Sequence, residues 1–257
     1  MKCRLLILLG VLFMGNSCSD DKEINTQPAN ITLNFNHFWG NSRISNTDFN
    51  TVKFTNANGE RLSMERLRYL ISDIKLTDEN DTVITFNEYN LVDVTNNENL
   101  SFTTTGTVSP GNYTHVSFRF GFSNTDNRDG EYADLNTANF NVPGILGGGY
   151  HYMQFDGKYM DTAGMEAPFN YHAVRAVDRT VPANLVFQDT SFEVNLGVLT
   201  VGSNTRINIK ADISEWFNNP NTWDLNVLNT LLMPNFNAQL MISANGKSVF
   251  SLESVTQ

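Results

Sequence analysis

Four histidines carry most of the ligating chemistry available to this chain: His37, His115, His151 and His172. Strand-period alternation separates them by face. In ITLNFNHFWGN (31–41), His37 falls on the face of Ile31, Leu33 and Phe35. In YHYMQFDGKY (150–159), His151 falls on the face of Met153 and Phe155. His115 alternates with Val116, Phe118 and Phe120 and is expected in solvent. His172, in FNYHAV, shares its face with Asn170 and Val174, and periodicity alone leaves its side open. An inward imidazole has two readings. It can be a core side chain with both nitrogens hydrogen-bonded, or a neutral metal ligand.

The other donors narrow the metal. Only two cysteines occur, Cys3 and Cys18, and both lie in the amino-terminal segment, which leaves no pair for a disulfide or a thiolate zinc site. Eight methionines are present, and Met153, Met160, Met165 and Met233 lie near the histidine segments. Imidazole with thioether favours copper over zinc, calcium or magnesium, although a gap-filling core role is the ordinary one for methionine. The loop SNTDNRDGEYAD (123–134) is rich in oxygen ligands, but Asp126, Asp129 and Gly130 lack calcium-loop spacing. No G-x-S-x-G elbow, HExxH helix or P-loop occurs, so the chain is expected not to be an enzyme. Scattered acids neither define nor exclude a paired-carboxylate hydrolase.

The elements that must position these groups read as strands. Period-two runs recur at 31–38, 66–77, 83–94, 113–122, 150–159, 169–177, 192–199, 206–213 and 248–255. Turn signals separate several of them, among them Asn58-Gly59, Pro110-Gly111 and Gly147-Gly148-Gly149. Helical signal is confined to the C-terminal third. Thr222 can cap a helix through WDLNVLNTLLM, and 234–247 fits a helix opened by Pro234 and stopped at Asn245-Gly246. This pattern predicts an all-β fold: a β-sandwich with Greek-key-like connections, long loops and one or two short C-terminal helices. The 123–149 loop is long for a compact domain. It offers a second function: a metal-free surface protein binding glycan or protein through that loop and through exposed Tyr132, Phe140 and Tyr150.

The amino terminus sets the expected location. Residues 1–17 carry Lys2 and Arg4, then an apolar run to Met14, as a secretory signal does. Cys18 follows Gly15-Asn16-Ser17 as a lipidation acceptor would, with an acidic tether over 18–30 and one domain over 31–257. Acylation there would anchor the chain stably. The SDDKE run (19–23) resembles an export signal to the outer face of an outer membrane. Removing Lys2 and Arg4 takes the net charge from −10 to −12, which argues against nucleic-acid binding.

Taken in order, several segments resemble one family. NFNHFWGN, RLRYLISDIKLTDENDTV, YNLVDV, PGNYTHVSFRFGFSNTDNRDG, GYHYMQFDG, FNYHAV and SANGKSVFSL are similar to successive motifs of the MbnP-like proteins, from about Ile31 to the end. These are periplasmic or surface copper-binding proteins associated with methanobactin, a copper-chelating peptide. The resemblance implies a β-sandwich that binds copper without turnover. His37 and His172 match family histidines, Met233 stands where the family has a further histidine, and His151 occupies an apolar family position. In some members a partner dihaem enzyme oxidises a tryptophan near the Gly-Tyr strand. Here that place reads NVPGILGGGY, and Trp39, Trp216 and Trp223 lie elsewhere. The expected metal ligands are therefore His37 and His172, with His151 and Met233 beside them.

Overall fold

Apolar residues at every second position can be buried together only if the strand lies flat against a second layer. The computed structural model, which describes residues 27–181 and 184–257, builds that second layer from both ends of the chain. In chain order the strands are β1 (Thr32–Trp39), β2 (Ser42–Arg43), β3 (Phe54–Thr55), β4 (Arg61–Asp78), β5 (Val83–Asp93), β6 (Ser101–Thr103) and β7 (Gly111–Phe120). A short helix α1 (Ala133–Thr137) precedes β8 (Met153–Met160), β9 (Glu166–Ala173), β10 (Ala176–Asp178) and β11 (Val186–Gln188). Then come β12 (Phe192–Val201), β13 (Arg206–Asp212), the helix α2 (Phe236–Gly246) and β14 (Phe250–Thr256). The expected signal segment (1–17) and lipidation at Cys18 fall outside the described residues.

Two sheets form the sandwich. The larger has seven strands, in the order β12-β7-β4-β8-β9, with β3 and β5 also on β4. The smaller has five, β14-β13-β1-β2 with β6 on β1, and its central pair β1–β13 is parallel. β4 is the spine of the larger sheet. Its 18 residues pair with β8 over 62–69 and with β7 over 71–78. Gly157 permits the close approach of β8 to β4, because a Cβ there would lie 2.0 Å from the Ser63 carbonyl oxygen.

Between the sheets lies an aromatic core. Phe35, Tyr69, Phe118, Phe120, Phe155, Phe169, Tyr171, Trp216 and Trp223 are fully buried. Edge-to-face contacts such as Phe35–Phe118 at 5.7 Å and Tyr171–Trp223 at 4.6 Å fix the ring packing.

Two expectations are corrected here. Residues 222–233 form turns, not a helix. Asp224 Oδ1 takes the Asn226 N–H, an Asx turn that competes with helix, and the Trp223 indole N–H bonds the Leu228 carbonyl. The 123–149 loop does not offer a free aromatic surface. Phe140 and Tyr150 are completely buried, and Tyr132 stacks on Phe122 at 4.6 Å. The loop folds back through α1, and Tyr150 O–H donates to Asn136 Oδ1. A long loop that buries its own aromatics behaves as a packed lobe.

Candidate metal centre

Strand register decides which predicted ligands can meet. Arg68, Gln154 and His172 are cross-strand partners on β4, β8 and β9, and so are Arg66, Asp156 and Asn170. These polar residues share one face of the large sheet. Leu67, Phe155 and Tyr171 form the intervening row, Tyr69, Met153 and Ala173 form the row on the far side of Arg68, and both point the other way, into the sandwich.

His172 therefore lies on the outer face. Its imidazole lies 2.8 Å from Asp156 Oδ1, so Nε2–H donates to the carboxylate and Nδ1 is the nitrogen turned away from it. Asp156 also accepts from Asn170 Nδ2 and from Arg66 Nε. Burial works to raise the Asp156 carboxyl, but the bonds from His172, Asn170 and Arg66 overcome it and hold it well below the usual range.

His151 stands beside it, although alternation placed it with Met153 and Phe155. The strand begins only at Met153, and Tyr150 bridges to Asn141 instead. The bend before β8 turns His151 towards Phe140 and the outer row. The two imidazole centroids are 5.1 Å apart, nearly perpendicular. His151 Nδ1 lies 2.9 Å from the Phe140 carbonyl oxygen. Gln154 Nε2 is farther from that nitrogen, at 3.4 Å, and already donates to the Asn139 carbonyl. Nδ1 is thus the protonated nitrogen, and Nε2 is a buried lone pair with no hydrogen-bond partner. Burial first, then the neighbouring His172 and the guanidiniums of Arg66 and Arg68, push His151 down to about 3, so it is neutral at physiological pH.

Met233 joins this site through a cavity. A space of about 430 Å³ is lined by His172, Asn170, Leu146 and the 230–234 segment that contains Met233. Gln239, buried in α2, fixes that segment. Its Nε2 donates to the carbonyls of His172 and Leu232, and its Oε1 accepts from Val174 N–H. Leu231 rims the cavity at 81% exposure with φ +57°, a left-handed conformation that is costly for leucine.

His37 does not join them. It reaches from β1 into the interior, where the Tyr69 hydroxyl donates to Nε2 over 2.9 Å. That assignment leaves no hydroxyl hydrogen unpaired, and burial raises the Tyr69 phenol well above its usual range. Burial, then Arg43, lower His37 to about 3. Tyr69 and His172 are on opposite faces of the sheet, so His37 and His172 cannot share one ion. His115 is partly exposed and pairs with Glu193 at 3.0 Å.

The donor set fits a soft or borderline ion in part. The two imidazoles each have one nitrogen held by an oxygen acceptor and the other turned away from it, as histidine ligands are normally oriented. Among the described residues, no group of three or more His, Cys, Asp or Glu side chains is placed to hold a metal ion. Met233 lines the cavity that His172 and Asn170 also line. Asp156 and Gln239 were missed by sequence reasoning. The Asp-Gly pair at 156–157 and a glutamine on the buried side of α2 were their only signals.

The fold is an all-β sandwich, with a histidine pair mounted on the outer face of its larger sheet. A family model described as MbnP matches residues 28–234. The chain belongs to the MbnP family. A solved structure, MbnP from Methylosinus trichosporium, aligns over 89% of this chain and 98% of its own at 11% identity, with a TM-score of 0.55. That likeness concerns the fold. Among curated proteins, no sequence matches this chain.

Proposed function

We propose that this chain is a non-catalytic copper-binding protein of the cell envelope, tethered by a lipid on Cys18 to the outer membrane. One ion would be held by His151 Nε2 and His172 Nδ1, with the Met233 thioether as the third donor. The observation that carries the reading is the orphaned Nε2 of His151, buried 5.1 Å centre to centre from a second oriented imidazole. Neutral nitrogens with thioether suit Cu(I). The copper link itself comes from the sequence resemblance. Of the described residues, no helix is long and apolar enough to cross a membrane.

The chain's own residues have definable tasks in this reading. Asp156 orients His172 and the Phe140 carbonyl orients His151. Gln239 holds the Met233 segment against β9. His37 has no part in the ligand set. Trp216 and Trp223 are fully buried in the core, and the Trp39 indole donates to the Thr55 carbonyl, so the proposal needs no modified tryptophan. It likewise needs no dihaem partner.

Copper titration of residues 24–257 under reducing conditions, followed by elemental analysis, tests it. About one ion per chain is expected, as one small convergent site implies. His151→Ala and His172→Ala should each abolish stoichiometric binding, and His37→Gln should keep it. A parent chain without stoichiometric copper would sink the proposal.

A further inference from the structure

A second site lies where three turns meet. The β3–β4 hairpin turns through 56–60, closed by Asn56 Oδ1 accepting from Glu60 N–H at 2.9 Å. The β8–β9 hairpin turns at Asp161, whose Oδ1 accepts from the N–H groups of Ala163 and Met165. The third turn begins at Asp224, whose Oδ1 takes the Asn226 N–H at 2.8 Å. Thr162 N–H donates to Asn226 Oδ1 at 3.2 Å and ties the second turn to the third.

Glu60 sits at this junction and is only 6% exposed. Its two oxygens are treated unequally. Oε1 accepts from Asn58 Nδ2 at 2.8 Å, Asn226 Nδ2 at 3.0 Å and Leu225 N–H at 3.2 Å. Oε2 is buried and has no partner. Among the described residues no lysine, arginine or histidine forms an ion pair with it. A buried carboxylate is normally paired with a cation or fully hydrogen-bonded.

The surroundings are rich in oxygen donors. Glu60 lines a cavity of about 370 Å³ together with Asp161, Asp224, Asn58, Asn226 and Thr162. Three carboxylates, two carboxamides and a hydroxyl face it, and no basic residue lines it. Hard oxygen donors in that number select calcium, which accepts six to eight ligands in irregular geometry. Magnesium demands stricter octahedral geometry than three independent turns supply. The carboxylates do not yet converge on one point. Asp161 and Asp224 each commit Oδ1 to a turn, and rotation of these partly exposed side chains can carry Oδ2 inward.

We propose that the Glu60–Asp161–Asp224 junction is a structural calcium site that staples the three turns. It is independent of the copper reading. The test uses the mature chain stripped with EDTA, with calcium alone as the probe. Calcium at a hundredfold over its dissociation constant should raise the unfolding midpoint by roughly 5–10 °C. Terbium in place of calcium should luminesce on excitation of Trp223, which immediately precedes Asp224 and whose carbonyl accepts from Asn56 Nδ2. Glu60→Gln should remove both responses. The paired change Asp161→Asn and Asp224→Asn keeps both turn acceptors and should also remove them, which guards against misfolding of the buried variant. An unchanged midpoint and no terbium signal in the parent would overturn the site. So would equal responses in the parent and the paired variant.

Discussion

The large sheet carries a buried histidine system on each of its faces, and the two are built differently. On the inner face His37 is one ring in an aromatic core, with its Nε2 occupied by the Tyr69 hydroxyl. On the outer face His151 and His172 are anchored through one nitrogen each, and the Nε2 of His151 has no partner. Burial alone does not distinguish them, since His37 is 3% exposed and His151 is 4%. The distribution of partners does. The lone pair of His37 is spent on the Tyr69 hydroxyl, whereas that of His151 Nε2 is buried with no partner, which is the costlier arrangement for a polar atom.

The sharpest way to break this contrast is a double dissociation. His37→Ala should cost about 2–4 kcal/mol of stability, through a core cavity and an unpaired Tyr69 hydroxyl, while copper stoichiometry is unchanged. His172→Ala, at the edge of a cavity, should cost about 1 kcal/mol and abolish copper binding. Denaturant unfolding and metal analysis on the same preparations read both. Equal loss of metal in the two variants would erase the distinction between the faces.

A smaller effect is expected at Asp156. Asp156→Asn removes the charge that orients His172 and should weaken copper by about 10–100-fold without ending it, measured by competition with a chromophoric chelator. The corresponding change inside the sandwich, Tyr69→Phe, should leave copper affinity alone.

Acid titration sharpens the inner half of the comparison. His37 stays neutral down to about 3 in the folded chain, while the unfolded chain protonates it near its ordinary 6.5. The unfolded state therefore binds more protons across that window. Stability contributed by neutral His37 is complete above pH 6.5 and is lost as pH falls towards 3, at about 1.4 kcal/mol per pH unit. His37→Gln should flatten the stability–pH curve by that slope relative to the parent between about pH 6 and 4, since the carboxylates contribute equally to both chains.

The smallest change expected is at the cavity rim. Leu231→Gly relieves a left-handed leucine and should alter stability by about 1 kcal/mol or less. Loss of metal from this variant would show that the rim itself shapes the site.

Much of the fold was legible because alternation is a local property. The run through Phe192, Val194 and Leu196 became the inward face of β12, but a bulge at Gly197 breaks the alternation, turning Val198 out at 71% exposure and bringing Leu199 and Val201 in. Ile207, Ile209 and Ala211 point inward in β13, which ends in a 3-10 turn at Ile213–Phe217. The orientation of His37 followed from the same rule. His151 did not, because alternation holds only inside a strand and β8 starts two residues later. Phe140 and Tyr150 misled because a long loop gives no sign of which surface it will fold upon. Asp156 and Gln239 acquire their roles from register and from the docking of α2, neither of which a single sequence displays. Segment 222–233 read as a helix because its apolar spacing was right, and the Asp224 carboxylate captured the Asn226 N–H instead.

The parallel pairing of β1 with β13 has a temporal consequence. Asn34 and Asn208, joined by a side-chain bond across that pair, are 174 residues apart in sequence. Closing a loop of that length costs about 4–5 kcal/mol before the pairing returns anything. Until residues 206–212 are available, β1 lacks its long neighbour, and Ile31, Leu33 and Phe35 have only part of their cover. The smaller sheet is thus expected to assemble late and as a unit. Folding should be slow and nearly all-or-none, with the first strand among the last to be locked in place.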